Sequence, residues 1–173
     1  MSDDTLKHRQ ALLRITQETC RKLFEDMGVS LRERTAQGAA APPMVYGGVI
    51  EFVGKGLRGS VTLASSSEPL ASTKPVPGAG DRDWLAELTN QLLGRIKNQL
   101  LLYAVEITFG TPVTLRGEHF ASLERGKDPP LAFEGARGFV RVWLEVTFAR
   151  TFQMLDRPDP KLAGPAQGGI VLF

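Results

Sequence analysis

The sequence predicts an α+β domain: a largely antiparallel sheet with two long helices packed on one face. Three observations carry this. Two long stretches repeat their apolar residues at the period of a helix. Several shorter ones alternate apolar and polar side chains, as a half-covered strand requires. The order along the chain is helix, hairpin, helix and then three or more strands, and cleanly alternating strands have one face buried and the other wet.

The first helix covers about residues 4–27. Leu6, Leu13, Thr16, Cys20, Leu23, Phe24 and Met27 share one face, and Gly28 is placed to end the helix in a left-handed conformation. Cys20 on that face is expected to be a buried, inert thiol. His8 lies off it and is expected to be solvated. Residues 29–43 read as a linker punctuated by Gly and Pro. A hairpin follows: Tyr46, Ile50 and Phe52 point one way on its first strand, and Leu57, Val61 and Leu63 share a face on its second. "GKG" between them suits a tight turn. Residues 65–82, bearing proline and polar side chains, read as a loop. It leads into the second helix, about 83–103, with Asp81 or Asp83 able to accept the orphan N–H groups of its first turn.

Past that helix, "AVEITF" alternates with Val105, Ile107 and Phe109 on one face. "TPVTLRGEHF" continues as a strand or irregular edge, since Pro112 cannot donate to a central ladder. "PLAFEG" is a short strand. "GFVRVWLEVTFAR" is the clearest one, with Val140, Val142, Leu144, Val146 and Phe148 opposite Arg141, Glu145 and Thr147. The tail, 153–173, is rich in Pro and Gly until "GGIVLF", either a last strand or a loose end.

Bulk properties narrow the function. A chain of 173 residues suits one domain, 1–173, able to bury a core without staples. A formal charge of +2 is too near balance to point to nucleic acid. The single cysteine permits no internal disulfide, which fits a reducing compartment. "MSDDTLKHRQ" has no apolar signal core, and the run "LLLYAV" is far short of the roughly 20 residues that span a bilayer. The expectation is a cytoplasmic protein with no membrane or nucleic-acid partner.

Common chemical motifs are weak. "GKGLRG" matches G-x-G-x-x-G, but an alternating strand follows it where a dinucleotide site needs a helix. His8 and His119 stand far apart without ligands at zinc spacing. No G-x-S-x-G elbow accompanies His119, which reads as a loop residue rather than a base.

The second helix is more informative. In "DWLAELTNQLLGRIKNQLLLYA", Trp84, Leu85, Leu88, Leu92, Ile96 and Leu100 fall on one side. Asp83, Glu87, Asn90 and Gly94 follow at steps of four, three and four, a stripe roughly opposite the apolar one. Most polar stripes are solvated faces. This one keeps Asn90 in mid-helix, where Glu or Lys would serve better, and Gly94, which costs about 1 kcal/mol against Ala. A face that gives up local stability to stay flat and amide-bearing looks built for contact.

These residues also carry a resemblance. "DWLAELTNQLLGRIKNQL" with "EITFGTPVTLRG" resembles the CheX/CheC/FliY group of chemotaxis phosphatases, and most nearly its CheX branch, which has one such helix rather than two. The group shows Asp or Ser, Glu four residues on, Asn three further, and Pro some twenty residues beyond. Here these are Asp83, Glu87, Asn90 and Pro112, with Gly94 and Lys97 as the following G-x-x-K. The resemblance covers about residues 83–117.

It implies a CheC-like fold and hydrolysis of the aspartyl-phosphate on a CheY-type receiver domain. Glu87 and Asn90 would be the catalytic pair. Asn90 would orient the attacking water, and Glu87 would pair with the receiver's lysine. Asp83, Gly94 and Lys97 would contact the partner. No cofactor of the chain's own is implied; Mg2+ would sit on the phosphorylated receiver. A homodimer through sheet edges is permitted. The competing reading is a module that grips a receiver or a flagellar-switch component without hydrolysis.

Overall fold

The computed structural model describes residues 3–34, 44–76, 78–117 and 129–163. Among these, the alternating segments form one sheet of seven strands, all paired antiparallel. Its centre is the hairpin of β2 (Tyr46–Gly54) and β3 (Leu57–Ser65), joined by Lys55 and Gly56. Gly56 has φ +78°, the left-handed conformation that such a tight turn demands. The G-x-G-x-x-G stretch is therefore a hairpin turn, as its context predicts. On one side β3 pairs with β7 (Gly138–Phe148), which pairs with β6 (Leu131–Gly135), which pairs with the two-residue β1 (Arg32–Glu33). On the other side, β4 (Ile107–Phe109) and β5 (Val113–Arg116) lie end to end along β2 and form that edge.

The predicted alternation chooses the buried face. Ile50, Phe52, Leu57, Val61, Leu63, Val140, Val142, Leu144 and Val146 join one core, and the helices α1 (Asp3–Asp26) and α3 (Asp81–Leu101) cover it. Each fully buried Leu or Val contributes about 1.5–3 kcal/mol. The helices also bond to each other: Arg95 Nη1 on α3 donates to Asp26 Oδ2 on α1 at 2.6 Å. The fold class thus agrees with the sequence. No helix of the described residues is long and apolar enough to cross a membrane.

Gly28 ends α1 as expected, with φ +80° and hydrogen bonds from Gly28 N to Glu25 O and from Val29 N to Phe24 O. Cys20 is fully buried, and burial pushes its thiol pKa up. Several expectations need correction. The buried face of α1 is Leu12, Ile15, Thr16, Thr19, Cys20, Leu23 and Phe24, while Leu6 is exposed. Leu12, Leu13 and Ile15 crowd the helix, so periodicity alone leaves its rotation open. Packing on β7 decides it, and Arg9 Nη2 donates to Val146 O there. His8 is not simply solvated. It is half-buried, edge-on to Phe152 at 5.0 Å and tilted against Phe148 at 6.0 Å.

The segment read as a loop over 65–82 holds a short helix, α2 (Ser67–Ser72), with Pro69 and Leu70 buried. Proline is tolerated there because first-turn N–H groups have no intrahelical partner. Likewise β1 lies in the segment read as a linker. Elements this short show no period. Helix α3 starts two residues earlier than predicted. Its N-cap is Gly80, with no side-chain cap, so neither Asp81 nor Asp83 caps it by hydrogen bond. His119 and the final "GGIVLF" lie outside the described residues.

Candidate functional site

Helix α3 is seated on the sheet at one close approach. Gly48 of β2 faces Thr89 and Leu85, and no side chain fits at position 48. Thr89 is itself buried, its hydroxyl donating to Leu85 O at 2.7 Å. Leu85, Leu88, Leu92, Leu93, Ile96 and Leu100 complete the buried face. The stripe is left outside, followed along the helix by Lys97. Asp83, Glu87 and Asn90 are exposed, and Gly94 and Lys97 are half-buried. The structure therefore brings Asp83, Glu87, Asn90 and Gly94 onto one helix face, as the spacing predicts, with Lys97 about one turn beyond Gly94.

Glu87 and Asn90 stand three residues apart, which places their Cβ atoms about 5–6 Å from each other. Glu87 Oε1 accepts from Gln91 Nε2 at 2.8 Å, an exposed bond that leaves its other oxygen free. Among the described residues the Asn90 carboxamide has no hydrogen-bond partner. A Cβ at Gly94 would meet nothing within 4 Å, so open space lies over this turn. Among the described residues, none holds the Glu87 or Asn90 side chain inward.

The edge strands flank the stripe. Arg82 Nε donates to Thr114 Oγ1 on β5 at 3.0 Å. Lys97 Nζ lies 5.8 Å from the centre of the Phe109 ring on β4, within cation–π range. Fifteen residues of helix, about 22 Å, separate those two anchors. Pro112 lies between Phe109 and Thr114, half-buried in the β4–β5 connection. That connection consequently runs alongside the middle turns of α3, where Glu87 and Asn90 project. On the opposite flank Arg95 is paired with Asp26.

The first turn of α3 is fixed by contacts that no sequence pattern announces. Tyr46 OH donates to Asp81 Oδ2 at 2.6 Å, and Lys74 Nζ pairs with the other oxygen of Asp81. Lys74 also donates to Ala79 O, and Trp84 Nε1 donates to Thr73 Oγ1. The Lys74 and Tyr46 hydrogen bonds hold the Asp81 carboxyl below the usual carboxylate range. These partners stand 5–35 residues apart, and only the fold brings them together. A broad groove on the sheet's uncovered face, floored by Val49, Val53 and Val113, lies on the far side of the sheet from the stripe.

No protein-family profile and no curated protein matches the sequence. Solved structures do match the fold. The chemotaxis protein CheX from Vibrio vulnificus superposes with a TM-score of 0.65 at 16% identity, over 79% of this chain and 96% of that one. A chemotactic CheC-like protein from Shewanella oneidensis gives 0.56 at 16% identity, over 80% and 94%. A chain of the CheX–CheY–BeF3–Mg2+ complex from Borrelia burgdorferi gives 0.57 at 11% identity, over 78% and 96%. This chain has the fold of the CheX and CheC-like chemotaxis proteins.

Proposed function

We propose that this protein is a phosphatase for the aspartyl-phosphate of a CheY-type receiver domain. The observation that carries the reading is the Asn90 carboxamide, exposed and without a hydrogen-bond partner among the described residues, three residues after Glu87 on a helix locked to the sheet at Gly48. The fold shared with CheX proteins, one of them solved as a complex with CheY, BeF3 and Mg2+, supports it.

The chemistry suits the residues. An acyl phosphate is already reactive, and positioning with charge stabilisation supplies most of the acceleration in phosphoryl transfer. Asn90 accepts a hydrogen bond from water through its carbonyl oxygen and holds that water in line with the P–O bond to the receiver's aspartate. The water oxygen bonds to phosphorus. The aspartate leaves as a carboxylate with the bonding electron pair, and the water's protons pass to phosphate and solvent. Glu87 pairs with a lysine of the receiver and fixes the docking register. Asp83 and Lys97 add contacts at the two ends of the stripe, and Gly94 keeps room for the receiver's loops. Mg2+ on the receiver neutralises charge on the phosphoryl oxygens.

The test is phosphate loss from a panel of Mg2+-bound receivers charged with acetyl phosphate. Faster loss from at least one receiver on adding this protein is the expected result. Measurable affinity with no gain in rate would instead identify a binding module.

A further inference from the structure

The flank of the stripe nearest β5 carries two guanidinium groups, each braced by a neighbour and neither in an ion pair among the described residues. Arg82 is held through Nε by the Thr114 hydroxyl, and among the described residues its terminal nitrogens make no further hydrogen bond. Arg116 lies over the Tyr46 ring, 5.8 Å from its centre, and Tyr46 is itself pinned by Asp81. Both arginines are exposed. Thr114 and Arg116 pair with Gly48 and Tyr46 in the β2–β5 register, so both point to the helix side of the sheet, two residues apart on one strand. Arg82 and Arg116 are thus anchored at successive same-face positions of β5.

Among the described residues neither arginine forms an ion pair, and Arg116 acts on Asp81 only as a weak, longer-range charge. Asp81 is committed to Lys74 and Tyr46. Asp83 follows Arg82 in sequence but points about 100° away around the helix. On the far flank, by contrast, the charge of Arg95 is spent on Asp26. The site therefore presents an acidic row, Asp83 and Glu87, beside a braced basic pair, Arg82 and Arg116.

We infer that Arg82 and Arg116 determine specificity: they select receivers that present carboxylates beside the docked phosphorylation site, on the side lying over β5. This rests on the proposed function and deepens it. Two parallel rows of opposite sign accept a partner in one orientation only, because the reversed orientation sets like charges together. A braced guanidinium loses little freedom on meeting a carboxylate, and its fork binds one bidentately.

The experiment measures binding of a receiver loaded with Mg2+ and beryllofluoride, at two salt concentrations, and dephosphorylation in parallel. The R82Q/R116Q double variant is expected to bind about tenfold more weakly, with a flatter salt dependence. Its kcat at saturating receiver should stay within about twofold, since neither arginine takes part in the chemistry. R82K/R116K, which keeps the charge, should keep the salt dependence. R82E/R116E should lose more than the glutamine variant, and a receiver whose facing carboxylates are changed to lysine should rescue it. Equal affinity and salt dependence in wild type and R82Q/R116Q would overturn the inference while leaving the phosphatase reading intact. Failure of the wild-type chain to bind any loaded receiver would overturn both.

Discussion

Gly48 and Thr89 touch where helix α3 crosses β2, and the buried Thr89 hydroxyl occupies the space a side chain at position 48 would need. This contact sets how deeply the helix sits and hence how far the stripe projects. Gly48→Ala is expected to lower stability by about 1–3 kcal/mol, the usual cost of overpacking. It should also reduce receiver dephosphorylation more than binding, because the helix shifts relative to β5. Chemical denaturation and rate measurements on the same preparation check both.

At Gly94 the opposite holds. Its added Cβ would meet nothing, so Gly94→Ala should raise stability by about 0.5–1 kcal/mol through helix propensity alone. Gly94→Trp should fold equally well and yet weaken receiver binding, because the indole fills the open space above the stripe. Thermal unfolding with a binding titration separates the two effects. Unimpaired binding by the tryptophan variant would place the docking surface elsewhere.

Asp81 links stability to pH. Its hydrogen bonds from Lys74 and Tyr46 depress the folded-state pKa, so the stabilisation is complete above the unfolded value of about 3.9 and drains as pH falls through the folded value. Asp81→Asn should therefore unfold at a lower temperature than wild type at pH 7, and the gap should narrow as the pH falls below about 3.9. The same bond raises the Tyr46 pKa, which places a second loss of stability on the alkaline side, above about pH 10. A melting curve series across pH for both proteins checks the sign.

Much of this was legible in the sequence. Helical spacing maps directly onto helix faces, so Asp83, Glu87, Asn90 and Gly94 could be grouped before any coordinates, while Lys97 entered only through the resemblance. Alternation likewise fixed the inward faces of β2, β3 and β7. Helix α2 and strand β1 were not legible, because six and two residues are too few to show a period. The rotation of α1 was ambiguous where Leu12, Leu13 and Ile15 crowd together. The flanks of the site were hidden for another reason. Arg116 meets Tyr46, and Arg82 meets Thr114, only through the register of β5 on β2, and no local pattern encodes pairing between segments so far apart.

The central claim is that the Asn90 carboxamide aligns the attacking water. Its most direct test is Asn90→Ala, assayed for phosphate loss from a charged receiver and for binding of the beryllofluoride-loaded receiver. The catalysed rate is expected to fall on the order of 10²-fold, as for loss of one positioned polar group, with affinity within about twofold of wild type. Full turnover by the alanine variant would contradict it.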